Sequence, residues 1–372
     1  MKNMQMLLAI NDIRDDYILD AEIKTQIHKL TSWKTAGIAA ACALIVLALL
    51  GVGAIFFSPS NMPRVERPPV ILPQREIGWG ETSYFAYQIS DLICKDDVDP
   101  QMFDTLPVFA NPLNIDPDGN VVNPDTAQMH RLLLDTAERL NMNKDAADVK
   151  EVLSDENKLC AYTVADQNYQ IEVNTGLGVT VTICNLETVQ SLQLPQKATK
   201  KAFEKHALAS INQFRGLLDM HQPKIVFPRG EYTVYGEQMW TQFSVYDNTD
   251  NPLNAFLNKY FRTVTFYFDE TNHQLSAISL RHTDLSNRTD GYPVQSLEKA
   301  KTNLCEALNL KRSAILHTEI FYENSSNVSV FTPYYRFFVQ TDDTNIAAYF
   351  PGMHTYTAYE MSALDPAYVV TE

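Results

Sequence analysis

The hydrophobic pattern divides the chain into a short polar start, one long apolar segment and a large remainder. Residues 36–57 read AGIAAACALIVLALLGVGAIFF, twenty-two residues without a charged side chain. A helix of this length extends about 33 Å, and the hydrocarbon core of a bilayer is about 30 Å thick. The pattern therefore predicts a transmembrane helix over residues 34–57 that contacts the lipid bilayer through residues 36–57.

A helical stripe precedes this segment. In the tail, residues 1–33, four apolar residues follow one another at steps of four, four and three: Leu19, Ile23, Ile27 and Leu30. Such a stripe has to be buried, so these residues are candidate contacts for a cytoplasmic partner such as a sigma factor or a sensor kinase. A helix lying on the membrane surface remains the alternative. Since the tail is short and the following part is large, we expect a cytoplasmic N-terminus and an extracytoplasmic C-terminal domain in the cell membrane.

After a proline-rich linker over residues 58–81, helical and strand periods alternate. The apolar spacing predicts helices over residues 126–141, 196–215 and 295–309. Predicted strands follow them at 158–165, 168–174, 178–184, 223–228, 231–236, 240–247, 259–268, 273–282, 314–322, 327–340 and 345–350. The fold class expected is α+β: one transmembrane helix, then an outer domain of repeated helix-plus-antiparallel-sheet modules. The modules are predicted at 82–190, 191–290 and 291–372.

Charge and cysteine content narrow the function classes. The net charge is −15, and residues 1–57 carry five basic and five acidic side chains, so the whole of it belongs to the outer part. This acidity argues against nucleic acid as a partner, because nucleic-acid binding needs a basic surface. Cys42 lies in the apolar segment. For the four other cysteines, buried free thiols are expected, with a Cys160–Cys184 bridge between neighbouring strands as the alternative.

Motifs for catalysis, metals or cofactors do not occur in the sequence. No H-E-x-x-H, Walker A, G-x-G-x-x-G or G-x-S-x-G string is present, and we predict no catalytic residue, cofactor or metal site. Ser296 opens an S-x-x-K string, but its partner motifs are missing, so we interpret it as a helix N-cap. An aromatic strand is expected to be buried, although an exposed protein or glycan contact is the alternative; it contains Tyr334, Tyr335, Phe337 and Phe338.

Residues 260–361 suggest a family. TVTFYFDETNHQLSAISL, GYPVQSLEKAKTNLCEAL and FTPYYRFFVQTDDTNIAAYFP give a hairpin, a helix and a strand pair. This order resembles the PepSY-like modules of extracytoplasmic regulators of Gram-positive bacteria, of the YycH and YycI type. The tail segment AINDIRDDYILDA is similar to the start of membrane-anchored anti-sigma-type proteins of Firmicutes. The resemblance implies regulation by protein contact and brings no catalytic residues.

Together these features predict a non-enzymatic, single-pass bacterial membrane protein. Its outer domain would bind a protein or an envelope component, and its tail could signal to a cytoplasmic partner. Two alternatives remain open: a passive structural or assembly protein, and an envelope hydrolase with a scattered carboxylate site.

Overall fold

A computed structural model describes eleven stretches of the chain, all within one compact unit, Arg67–Glu372. The described residues are 67–72, 82–94, 97–116, 120–142, 148–192, 200–227, 242–269, 271–289, 291–325, 328–341 and 351–371. The α-helices are α1 Thr126–Arg139, α2 Lys200–Gln213, α3 Arg215–Leu218, α4 Pro252–Phe261 and α5 Leu297–Leu308. The strands are β1 Val70–Leu72, β2 Thr82–Ala86, β3 Thr105–Leu106, β4 Phe109–Ala110, β5 Lys150–Leu153, β6 Leu159–Ala165, β7 Tyr169–Asn174, β8 Val179–Ile183, β9 Pro223–Val226, β10 Gln242–Asp247, β11 Thr263–Phe268, β12 Leu275–Leu280, β13 Tyr292–Pro293, β14 Ile315–Tyr322, β15 Val330–Phe331, β16 Pro333–Thr341, β17 His354–Ser362 and β18 Val369–Thr371.

An eight-stranded antiparallel sheet is the largest element among the described residues. Its strand order is β5-β6-β7-β8-β12-β11-β10-β9. One face carries alternating Val, Ile and Phe side chains and is covered by α1 and α2, which bury Met129, Leu133, Phe203 and Ile211 against it. The alternation places the apolar side chains of every strand in one core, since side chains of a strand point to opposite faces in turn.

A second sheet has the order β14-β16-β17-β2 and a separate core. Helices α4 and α5 pack on one of its faces, where Phe256, Phe261 and Leu304 are buried. Helix α4 also contacts β10 and β11 of the larger sheet. At the second sheet, the Tyr260 hydroxyl donates to the Ile320 carbonyl of β14 at 3.3 Å. Helix α4 therefore joins the two sheets. Three two-stranded sheets complete the described topology: β1-β18, β3-β13 and β4-β15.

The predicted α+β repeat of three helix-plus-sheet modules is wrong. Strands expected in the first two modules form one sheet, because β8 and β12 pair directly, with Val181 opposite Ile278 and Thr180 opposite Ser279. Two separate meanders would each leave an unpaired edge at this point, and their pairing satisfies the backbone groups of both. The described residues are mostly β, with eighteen strands and five α-helices.

The predicted membrane topology is contradicted as well. No helix among the described residues is long and apolar enough to cross a bilayer. The longest of them, α1 and α2, have 14 residues, which is about 21 Å. This finding contradicts the predicted localisation as a single-pass membrane protein with an extracytoplasmic domain. Residues 36–57, on which that prediction was based, lie outside the described residues.

Several local predictions are confirmed. Helices α1, α2 and α5 and the β11–β12 hairpin lie where the periodicity placed them. The aromatic strand is buried, with Tyr335 and Phe337 in the core beneath α5 and Phe338 on the opposite face. The four described cysteines are free, so the alternative bridge is not formed. Cys160 and Cys184 are exposed rather than buried.

Ser296 caps α5, and replacing its hydroxyl-bearing side chain tests how much the cap stabilises the protein. Its hydroxyl accepts a hydrogen bond from the Lys299 amide at 3.3 Å. Because this amide has no partner within the helix, Ser296→Ala should lower the free energy of unfolding by about 1 kcal/mol. Urea denaturation measures this loss. Ser296→Asp keeps an acceptor and should retain most of the stability, whereas equal losses in both variants would contradict the capping role.

Candidate functional site

Helix α4 begins and ends with clear local signals. The Asn251 side chain accepts from the Asn254 amide at 3.0 Å, and Pro252 occupies the first helical turn. Both are favoured at a helix start. Its apolar residues recur at helical spacing: Leu253, Phe256, Leu257, Tyr260 and Phe261. The helix ends at Phe261, and β11 starts two residues later, so the residue between them is fixed by both elements.

That residue, Arg262, lies directly opposite His282. The Arg281 amide donates to the Thr263 carbonyl at 2.8 Å, and the Thr283 amide donates to the Phe261 carbonyl at 3.0 Å. These bonds extend the β11–β12 ladder and leave Arg262 and His282 at the intervening non-hydrogen-bonded position. Opposed side chains come closest at such positions, with Cβ atoms about 4.5–5.5 Å apart. Two basic side chains therefore face each other.

A cavity of about 330 Å³ opens beside this pair; we call it the α4 pocket. Its floor is apolar and is formed by Leu132, Leu177, Val179, Leu217, Leu218, Val264 and Leu280. Its rim is charged and carries Arg139, Arg262, Arg281, His282, Asp135, Asp219 and Asp247. An apolar floor with a few converging polar groups is the usual composition of a ligand site.

Some charged groups of the rim already have a partner within the protein. Arg139 pairs with Asp219 at 3.5 Å, and the Asp247 carboxylate accepts from the Gln222 amide at 2.7 Å. By contrast, the guanidinium of Arg262 forms no ion pair with a described carboxylate. The arrangement leaves this guanidinium available to an anion.

The helix dipoles explain why an arginine lies at the end of α1 and of α4, but not why Arg262 faces His282. Arg139 lies in the last turn of α1, and Arg262 follows the last residue of α4. Cations at helix C-termini are stabilised by about 0.3–1 kcal/mol. The dipoles do not account for Arg262 lying opposite His282, whose protonation would place two like charges directly across an antiparallel pair. A bound anion would offset the repulsion that protonation of His282 creates.

The pKa of His282 reflects this environment. Burial lowers it most, Arg262 and Arg139 lower it further, and Asp284 and Asp219 oppose the shift. In the folded protein, the pKa of His282 therefore lies below its ordinary value of about 6.5, and the neutral ring is favoured. An anion placed between Arg262 and His282 would reverse the balance and favour the protonated ring.

The ligand-free protein should show this in its stability. Because the folded pKa of His282 is depressed, its stabilising contribution is complete above pH ~6.5 and is lost as the pH falls through the folded pKa. His282→Asn should remove that pH dependence, so the parent should lose stability relative to the variant as the pH is lowered. Urea unfolding across this pH range measures the difference. Parallel curves would contradict it.

Leu177 contributes a strained backbone to the pocket floor. Its φ of 61° is in the left-handed region, where bulky residues are rare and cost on the order of 1 kcal/mol. The turn is held because the Asn174 side chain accepts from the Gly178 amide at 3.0 Å. This turn closes the β7–β8 hairpin and places Leu177 among the residues that line the pocket.

The described lining of the pocket offers one hydroxyl side chain. This hydroxyl, of Thr136, donates to the Leu132 carbonyl at 2.6 Å and so is engaged within α1. The described lining contains no Ser or Cys. What converges there is an apolar surface, a guanidinium and an imidazole, which together suit a carboxylate attached to an apolar group.

A second polar cluster lies beside β14, where Asp97, His317 and Glu319 place ligand atoms within 4.8 Å of one another. Two cations already occupy it. Lys259 contacts Asp97 at 2.9 Å, and Arg336 contacts Glu319 at 2.9 Å. A divalent ion would have to overcome both, so we assign this cluster to a structural ion network that links α4 to the second sheet.

The sequence-predicted partner contacts Leu19, Ile23, Ile27 and Leu30 lie outside the described residues. The α4 pocket was missed because its residues come from distant segments and α4 itself was not predicted. The signal that could have found it is Asn251-Pro252 followed by helical apolar spacing, which ends at an Arg directly before the hairpin.

Comparison with known proteins gives no family. No protein-family model and no curated protein matches the chain. A crystal structure of an uncharacterized protein from Eubacterium rectale ATCC 33656 is 11% identical, with a TM-score of 0.34. The match covers 70% of this chain and 84% of that one. A likeness of this size supports no inference, and the resemblance to PepSY-like regulators stays a prediction.

Proposed function

We propose that the α4 pocket makes this protein a non-catalytic binding module that recognises the carboxyl-terminal residue of a partner polypeptide. The observation that carries the proposal is the pairing of Arg262 with His282 above an apolar floor. A terminal carboxylate matches the two basic groups, and an apolar terminal side chain matches the floor.

The acidic part of the rim supports a polypeptide over a small organic acid. Asp135 and Asp247 carry carboxylates on the same rim as Arg262. A peptide approaching the pocket offers several backbone N–H groups to acceptors of this kind, whereas a small carboxylic acid without an amide offers none. The cavity volume of about 330 Å³ suits one residue inside, with the preceding residues on the rim.

Matched probes test the proposal. By calorimetry, N-acetylleucine should bind saturably, and N-acetylleucinamide, which lacks the charge, should bind at least about tenfold more weakly. An N-acetylated tripeptide ending in leucine should bind more tightly than N-acetylleucine. Equal affinities for acid and amide would overturn the carboxylate site, and equal affinities for tripeptide and single residue would assign the pocket to a small molecule.

Variants locate the binding. Arg262→Gln should weaken N-acetylleucine binding by about tenfold or more, because the charge-assisted hydrogen bonds to its guanidinium are lost. Arg312→Gln removes a half-exposed arginine paired with Glu298 on another surface and serves as the matched control. A loss of the same size in both variants would point to general electrostatics instead of the pocket.

A further inference from the structure

The rim of the α4 pocket has a basic part and an acidic part. The basic part contains Arg262 and His282, which face each other, and Arg281 beside His282. The charges that shift the pKa of His282 include Arg139 but not Asp135. This agrees with the position of Asp135 on α1, one helical turn or about 5.4 Å before Arg139. A ligand whose carboxylate binds at the basic part therefore meets the Asp135 carboxylate farther along the rim.

Asp135 carries a charge that the protein itself does not balance. Arg139 follows it by four residues on α1, a spacing at which opposite charges pair, but the Arg139 guanidinium contacts Asp219 instead, at 3.5 Å. The Asp135 side chain is exposed and forms no ion pair or hydrogen bond within the part of the chain that the structure describes. By contrast, Asp247 on the same rim accepts from the Gln222 amide. The Asp135 carboxylate is therefore available to a cationic group of the ligand.

The charge of the whole chain favours a basic ligand as well. The net charge is −15, so a peptide whose only charge is its terminal carboxylate approaches the protein against a repulsive field. One basic side chain cancels the charge of the terminus, and a second one makes the long-range interaction attractive. Basic residues close to the terminus would therefore assist both the approach and the contact with the rim.

We propose that the partner polypeptide carries a lysine or an arginine directly before its apolar carboxyl-terminal residue, and that Asp135 selects this basic side chain. The inference rests on the proposed recognition of the carboxyl terminus. Successive side chains of an extended peptide point to opposite sides, and each residue advances the chain by about 3.3 Å. A terminal leucine that points to the apolar floor therefore directs the preceding side chain to the rim, where its cationic group pairs with Asp135.

Three N-acetylated tripeptides test the proposal by calorimetry on the full chain: glycyl-lysyl-leucine, glycyl-glutaminyl-leucine and glycyl-glutamyl-leucine. They differ only in the middle residue. The parent protein should bind the lysyl peptide about two- to fivefold more tightly than the glutaminyl peptide, as expected for an exposed ion pair, and the glutamyl peptide most weakly. The preference should decrease as the ionic strength rises. Equal affinities for the lysyl and glutaminyl peptides overturn the proposal.

Variants assign the preference to Asp135. Asp135→Asn should abolish the preference for the lysyl peptide, and Asp135→Lys should reverse it, so that the glutamyl peptide binds most tightly. The readout is the ratio of affinities within one variant, which a general loss of affinity does not change. Glu306→Lys reverses an exposed charge on α5, which contributes no residue to the described pocket lining, and should keep the parental order. A lysyl preference that survives in Asp135→Lys, or that is lost equally in Glu306→Lys, overturns the role of Asp135.

The binding of N-acetylleucine separates this inference from the proposed function. If the parent protein binds N-acetylleucine in preference to N-acetylleucinamide, but the tripeptides show no preference for lysine, the carboxylate site is supported and selection by Asp135 is wrong. If N-acetylleucine does not bind, the carboxylate site is wrong, and this inference is wrong with it.

Discussion

Replacing Arg336 by methionine should lower the free energy of unfolding by about 3–5 kcal/mol, because it removes the cation that pairs with the buried Glu319 and the partly buried Glu360. The guanidinium donates to Glu319 at 2.9 Å and to Glu360 at 2.6 Å. The side chain of Glu319 is only 1% exposed. Burial opposes the charge of Arg336, yet Glu319 and Glu360 raise its pKa above the ordinary value.

An exposed pair supplies the matched control for this substitution. Lys158 contacts Glu156 at 2.7 Å, but both side chains are more than 70% exposed, at 77% and 73%. Lys158→Met should therefore cost less than about 1 kcal/mol. In urea, the midpoint should fall for Arg336→Met with an unchanged m value. Similar small losses in both variants would show that the network contributes no more than a surface pair.

Phe261→Ala should lower the free energy of unfolding by a comparable amount, about 3–5 kcal/mol. Phe261 is fully buried and packs against Phe109, Tyr322 and Phe331, with ring centroids 5.2–5.5 Å apart. Its removal leaves a cavity where α4 meets the core of the second sheet. Because Arg262 follows directly, N-acetylleucine binding should also weaken under conditions in which the variant is still folded.

The neighbouring strand offers the control for that variant. Tyr267 of β11 is 39% exposed, so Tyr267→Ala should change stability far less than Phe261→Ala. Denaturation in urea compares the two, and calorimetry with N-acetylleucine follows the pocket. Unchanged binding by folded Phe261→Ala would show that the end of α4 does not position Arg262.

Local periodicity predicted those elements whose signals lie within one segment. Helix α1 shows apolar residues at helical spacing, and Asp125 caps it by accepting from the Gln128 amide at 2.9 Å. The β11–β12 hairpin turns at Asp269, whose side chain accepts from the amides of Thr271 and Asn272. In each case, residues a few positions apart determine the structure, so the sequence is sufficient.

Helix α4 was missed for a reason in its own residues. Phe256, Tyr260 and Phe261 favour strands as well as buried helices, and they continue into the strand that starts at Thr263. The apolar run from helix to strand has no break in composition, so the predicted strand absorbed the helix end. The boundary depends on packing of Phe261 in the core, a contact between distant segments.

The pairing of β8 with β12 and the α4 pocket also depend on contacts between residues that are far apart in the sequence. Val181 and Ile278 are almost a hundred positions apart in the sequence. Arg139, Asp219 and His282 likewise reach the pocket from three separate parts of the chain. Periodicity defines which face of a strand is apolar, but it does not select the strand that pairs with it.

The most direct test of the α4 pocket is the pKa of His282, measured by nuclear magnetic resonance with labelled histidine, with and without N-acetylleucine. His282→Asn identifies the signal. If the carboxylate binds between Arg262 and His282, the pKa of His282 should rise on binding, and N-acetylleucinamide should leave it unchanged. A pKa of His282 that does not respond to N-acetylleucine would contradict the proposed site.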